Sequence, residues 1–144
     1  MDATDDKIID LLKSDARMSF SDISREIGLS TPAIRDRVLG LEKEGIIKGY
    51  APLLDYSKLG LNTTAFIGVT LAHPACCRED VVKKIGKMPE VVEAHYTDGE
   101  EDMLLKAICR DTSAFLRLLS ELTAIEGVSK TRSVISLANE IMRA

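Results

Sequence analysis

Apolar side chains recur at helical spacing three times in the first 45 residues. Ile8, Ile9, Leu11 and Leu12 give one oily side over Asp5–Ser14, with acidic residues in the first turn, where the helix dipole favours them. Ser21 or Ser19 can cap a second, short helix that turns Ile23 and Ile27 inward, and Gly28 stops it by tolerating a left-handed conformation. A third helix opens at Ser30 or Thr31, with Pro32 where a missing N–H costs nothing. Its Ile34, Val38 and Leu41 form a buried stripe, and Gly45 closes it. Ile46 to Asp55 alternate around Gly49, which predicts two short strands or one bent one, with Pro52 confined to an edge. Tyr56–Leu61 reads as a connecting turn.

The second half changes period and repeats itself. Shifting it by 37 residues lays Val81, Val82, Ile85 and Met88 on Leu118, Leu119, Leu122 and Ile125, and Phe66, Ile67 and Leu71 on Met103, Leu104 and Ile108. Each copy reads strand, helix, strand: 64–72, 79–88 and 91–97, then 102–109, 113–124 and 128–137. Two such copies predict a βαββαβ ferredoxin-like sandwich, one four-stranded antiparallel sheet with both helices on one face. Both faces of the first and third strands are largely apolar, so the uncovered face predicts homodimerisation. The expected fold class is therefore α+β, a winged helix-turn-helix followed by a ferredoxin-like domain. The expected boundaries are 1–54, a linker at 55–62, and 63–144.

Composition narrows this only slightly. The 144 residues suit two small domains, and 45% hydrophobic with 29% charged is ordinary for a globular chain. No apolar run approaches the roughly 18 residues of a membrane span, and the acidic start carries no signal-peptide pattern, so a cytoplasmic location is expected. Cys76, Cys77 and Cys109 are odd in number and two are adjacent, which reads as reduced thiols rather than a disulfide framework. Net charge is −4, spread evenly over the two halves, so nucleic-acid binding requires positive charge concentrated on one surface.

The third helix offers such a surface. Three short helices with the tight Gly28-Leu29-Ser30 turn follow the helix-turn-helix plan, in which the later helix enters the major groove. With Ile34, Val38 and Leu41 inward, Thr31, Ala33, Arg35 and Asp36 lie outward and Arg37 flanks the stripe. An arginine can fork onto guanine or phosphate, while Ser30, Thr31, Pro32 and Ala33 sit at a helix N-terminus suited to phosphate oxygens. Lys43 and Lys48 can reach the flanking backbone, and Arg17 and Arg25 are further phosphate candidates. The same pattern also fits an inert bundle with solvated charges.

The stretches DDKIIDLLKSDARMSFSDISREIGLS, TPAIRDRVLGLEKEGIIKGY and LLDYSKLGL resemble the Lrp/AsnC, or feast/famine, family of transcription regulators. TDGEEDMLLKAICRD and EGVSKTRSVISL resemble that family's ligand-sensing half, so the likeness runs through nearly the whole chain. It implies double-stranded DNA as partner and a homodimer through the C-terminal sheet, assembling further to tetramers or octamers. It implies no cofactor, no metal and no catalytic residue, but an amino-acid effector held between sensing domains. Residue by residue, the effector site maps to Gly99, Glu101 and Asp102, with Thr97 and Ser133 as weaker members. Read without the likeness, Asp98-Gly99 is a hairpin turn in which Gly supplies a positive φ. The crowd of Asp98, Glu100, Glu101 and Asp102 departs from the commoner family loop, which has an apolar or aromatic residue before the Asp. Such carboxylates must meet a cation: an ammonium group, an arginine or a metal. A basic or polar effector fits that need.

Two rivals make different demands. Siroheme decarboxylases share the two-domain plan, but here only His73 and His95 are present and the wing lacks arginine. A metal or redox sensor would have to use His73-Pro74-Ala75-Cys76-Cys77, where adjacent cysteines chelate one ion poorly and no C-x-x-C pair exists.

Overall fold

The computed structural model describes residues 1–141, and of Ala75 the backbone alone. The chain divides into two compact units, Met1–Leu53 and Leu54–Ile141.

The first unit holds α1 (Ala3–Ser14), α2 (Phe20–Ile27) and α3 (Thr31–Lys43). Each begins at a side chain that satisfies a helix N–H otherwise without a partner. Asp2 accepts from the N–H groups of Thr4 and Asp5 at 2.8 and 3.0 Å, so α1 starts two residues before the apolar pattern does. Ser19, not Ser21, caps α2 by accepting from the Asp22 N–H at 3.1 Å, and Ser30 caps α3 by accepting from Ala33 at 3.3 Å. Gly28 ends α2 at φ 81°, which an L side chain adopts only with strain. Ile8, Ile23, Ile34, Val38 and Leu41 close over one another as the core.

The expected wing strands do not form. Among the described residues, 46–55 contain no strand. The N–H groups of Ile46 and Ile47 donate instead to the Leu41 carbonyl at 2.9 and 3.1 Å, finishing α3. Tyr50 then ties the segment back by donating to Glu42 Oε1 at 3.0 Å. Ile47 packs on the helical core while Ile46, Leu53 and Leu54 stay exposed. An isolated two-stranded ribbon is marginal in water, and here the N–H groups of Ile46 and Ile47 already have a local partner.

The second unit contains β1 (Thr63–Leu71), α4 (Pro74–Ile85), β2 (Val91–Tyr96), β3 (Met103–Cys109), α5 (Thr112–Thr123) and β4 (Val128–Ile135). The sheet runs β2-β3-β1-β4, all neighbours antiparallel, which is the ferredoxin-like order that the tandem repeat predicts. Ala65, Ile67, Val69 and Leu71 of β1 and Met103, Leu105 and Ala107 of β3 are buried beneath Val81 and Ile85 of α4 and Phe115, Leu118 and Leu122 of α5. Helix α4 starts five residues earlier than expected, because Pro74 takes the first helical position and His73 precedes it. Gly127, at φ 99°, lets the β4 entry pass under α4: a Cβ there would lie 2.9 Å from Cys77 Cβ. Residues paired across strands share a face. Phe66, Gly68 and Thr70, Leu104 and Lys106, His95, and Lys130, Arg132 and Val134 therefore form the side opposite to that covered by α4 and α5. Phe66, Leu104 and Val134 are exposed on it.

Candidate functional site

Helix α3 buries Ile34, Val38 and Leu41 and presents the remainder of its surface outward. Ser30, Thr31, Pro32, Arg35, Asp36 and Lys43 are exposed, and so is Lys48 beyond the helix; Ala33 is half-buried. Arg35, Lys43 and Lys48 have no ion pair among the described residues, so their charge is available to an external anion. Arg25 is instead engaged by Asp22 one turn earlier.

Arg37 differs from Arg35. Its Nη1 lies 2.7 Å from Asp5 Oδ1 and 2.9 Å from Asp2 Oδ2, both at the start of α1. The Asp5 N–H, and after it the Arg37 guanidinium, holds the Asp2 carboxyl below its usual range. The Asp2 N–H and then Arg37 do the same for Asp5. The two carboxylates in turn push Arg37 upward, Asp5 more than Asp2. A DNA phosphate reaching Arg37 would have to displace this pair.

The second cluster lies where β2 turns into β3. The loop is closed by the Thr97 N–H donating to the Asp102 carbonyl at 2.9 Å, with the Thr97 hydroxyl donating to the Glu101 carbonyl. Gly99 is not at positive φ, contrary to expectation. With four residues between Thr97 and Asp102, the loop is longer than the two-residue turn that would require one. Asp102 Oδ2 accepts from the Leu71 N–H at 2.7 Å, where the β1–β3 ladder ends. The Glu101 side chain lies over Gly68 on the uncovered face: a Cβ on Gly68 would sit 2.5 Å from Glu101 Cγ. This is the close approach that a glycine inside a strand permits.

The crowded carboxylates do meet a cation, and it belongs to the chain. Arg132, which pairs with Gly68 across the β1–β4 ladder, places Nη1 3.4 Å from Glu100 Oε2 and 3.6 Å from Glu101 Oε1. Thr97, Glu101 and Asp102 are thus brought together, and Gly99 lies in the same loop. Ser133 is not on that side: it pairs with Ile67, on the face covered by the helices. Residue type and spacing alone do not single out Arg132 or Gly68. The alternation of β4, which sends Arg132 and Ser133 to opposite faces, is the signal that could have found Arg132.

His73 and His95 are both exposed, and His95 lies 3.5 Å from Glu93. Cys77 Sγ is 3.0 Å from the His73 carbonyl, Cys76 is exposed, and burial pushes the Cys109 thiol up. Among the described residues no three His, Cys, Asp or Glu side chains converge as a metal site, and no helix is long and apolar enough to cross a membrane.

Comparison with known proteins agrees with this two-part geometry. The AsnC-type helix-turn-helix domain matches residues 1–42, and the Lrp/AsnC ligand binding domain matches residues 64–143. The chain is 34% identical to the regulatory protein AsnC of Haemophilus influenzae, over 99% of this chain and 95% of that protein. It is also 34% identical to the leucine-responsive regulatory protein of Escherichia coli K12, over 94% and 84%. The structure of Escherichia coli AsnC superposes with a TM-score of 0.89 at 29% identity, covering 100% of this chain and 97% of that one. A transcriptional regulator from Neisseria meningitidis, solved as an L-Met complex, superposes at 0.91 with 32% identity, covering 99% and 94%. An AsnC-type helix-turn-helix joined to an Lrp/AsnC ligand-binding sandwich, matched in order along the chain, makes this protein a member of the Lrp/AsnC family of DNA-binding transcription regulators.

Proposed function

We propose that this regulator docks α3 in the major groove of double-stranded DNA, with residues 1–54 as the DNA-binding domain and 55–62 as the linker. The observation that carries the reading is the exposed start of α3, where Ser30, Thr31, Pro32 and Arg35 lie open to solvent and Arg35 has no ion pair among the described residues. The Ser30 and Thr31 hydroxyls can hold phosphate oxygens and an unpaired guanidinium can fork onto guanine. Lys43 and Lys48 add backbone contacts to either side. Residues 63–144 form a homodimer through the uncovered sheet face, where Phe66, Leu104 and Val134 are exposed, and dimers assemble further. The protein works in the cytoplasm.

The loop Thr97–Asp102 with Arg132 and Gly68 is the proposed effector site, and an amino acid is the proposed effector. The Neisseria relative solved with L-Met supports the ligand class. An amino acid offers an ammonium group to Glu100, Glu101 and Asp102 and a carboxylate to Arg132, so both halves of the internal ion cluster have a replacement. Effector binding shifts the assembly only through a difference in affinity between its states. Selection of genomic fragments on the immobilised chain, followed by footprinting, tests the reading. Protected half-sites spaced by whole helical turns are expected, and a chain that ignores every fragment at low ionic strength would refute it.

A further inference from the structure

The N-terminal cap of α1 is built as a receptor for one side chain of α3. Asp2 uses Oδ1 to cap the N–H groups of Thr4 and Asp5, and Asp5 uses Oδ2 to accept from the Asp2 N–H at 2.8 Å. That reciprocal box fixes both carboxylates. Each then has one oxygen left, and both point at Arg37 Nη1. Asp5 is 13% exposed and Arg37 33%, so the pair sits in the crease between the helices rather than in open solvent. The two carboxylates neutralise the guanidinium, so this flank of α3 offers a phosphate no unpaired cation. Arg35 carries an unpaired positive charge two residues away. Arg37 and Arg35 are 200° apart around the helix at about 100° per residue, so they leave α3 on different sides.

We infer that Arg37 is a positioning residue: bolted to the α1 cap, it fixes the roll of α3 about its own axis so that Ser30, Thr31 and Arg35 face the DNA. Asp2 and Asp5 are the other half of the bolt. This rests on the reading that α3 enters the groove, and it assigns Arg37 a role without a DNA contact.

The test uses the full chain, a fluorescent DNA duplex recovered by genomic selection, and anisotropy titrations over a range of salt. Arg37→Ala, Asp2→Asn with Asp5→Asn, the combination of all three, and Arg37→Lys are compared, each checked by circular dichroism to be folded at the assay temperature. Arg37→Ala and the double Asn variant are each expected to weaken binding about tenfold, as for members of one ion-pair network. The triple variant is expected to be no weaker than either, and Arg37→Lys, which can still bridge both carboxylates, recovers most of the loss. The slope of log K against log salt stays at the wild-type value in all of them. A slope reduced by about 1 in Arg37→Ala would make Arg37 a phosphate contact and overturn the inference. Multiplying effects, or unchanged affinity in folded variants, would overturn it too. Arg35→Ala run alongside separates the failures: if it also leaves affinity and slope unchanged, the groove reading falls with it.

Discussion

Replacing Asp102 by Ala tests whether a residue expected to hold an effector first holds the sheet together. Its Oδ2 accepts the Leu71 N–H at 2.7 Å, at a residue that is 4% exposed. Its own carbonyl takes the Thr97 N–H, a contact that Ala keeps. A hydrogen bond to a charged acceptor contributes about 1.5–3 kcal/mol, and a buried N–H left alone costs about 1–3 kcal/mol. Asp102 is half-buried, so water can reach part of the vacated space, and a loss of about 2 kcal/mol is expected. With a urea slope of about 2 kcal/mol per M, that moves the unfolding midpoint of the second unit down by about 1 M. Asp102→Asn keeps an acceptor oxygen without the charge and should lose no more than about 1 kcal/mol. Urea titrations of the three proteins read both numbers. An Ala variant within about 0.5 kcal/mol of wild type would refute the strand-end role. The comparison also guards the effector assay: calorimetry with the twenty amino acids should use Asp102→Asn, because an Ala variant can lose heat by losing the strand end. Equal heats for wild type and Asn would remove the Asp102 charge from the site.

Two other outcomes follow from contacts elsewhere. Gly127→Ala forces a side chain into φ 99° and places its Cβ 2.9 Å from Cys77 Cβ and 3.2 Å from Val81 Cγ2. Strain of about 1–2 kcal/mol plus overpacking of about 1–3 kcal/mol predicts a clear fall in the melting temperature of the second unit, readable by calorimetry. Acid should loosen the first unit in a way that depends on Arg37. Asp2 and Asp5 titrate below the ordinary aspartate range when folded, so their contribution is present above that range and is lost as pH falls through the lowered values. Arg37→Gln weakens the depression, and the acid unfolding midpoint of the first unit should move to higher pH; an unmoved midpoint would contradict the pairing.

The helices and the sandwich were legible because their signals are local. Ser19, Gly28 and Ser30 mark boundaries by hydrogen bonds to their own neighbours, and a repeat of 37 residues betrays two copies of one βαβ unit. The wing was misread because alternation in residues 46–55 resembles a strand, whereas the N–H groups of Ile46 and Ile47 are drawn to Leu41 by the end of α3. The start of α4 was misread because His73-Pro74-Ala75-Cys76-Cys77 has no apolar period, although Pro74 is a good first helical residue. At the candidate sites, residue types were visible and partnerships were not. Arg35 and Arg37 look alike in sequence, yet only Arg37 meets carboxylates, and those lie more than thirty positions away. The demand for a cation beside Glu100 and Glu101 was legible, but that Arg132 supplies it depends on β4 lying next to β1.

The central proposal for this molecule is that α3 reads DNA through Arg35, which has no ion pair among the described residues. Its most direct test is the affinity of the full chain and of Arg35→Ala for one selected operator and for the same duplex with single guanines changed, at a fixed salt concentration. The expected result is a loss of about 1–3 kcal/mol in the variant and, at one guanine, no further discrimination between bases. Wild-type affinity and unaltered base preference in Arg35→Ala would contradict it.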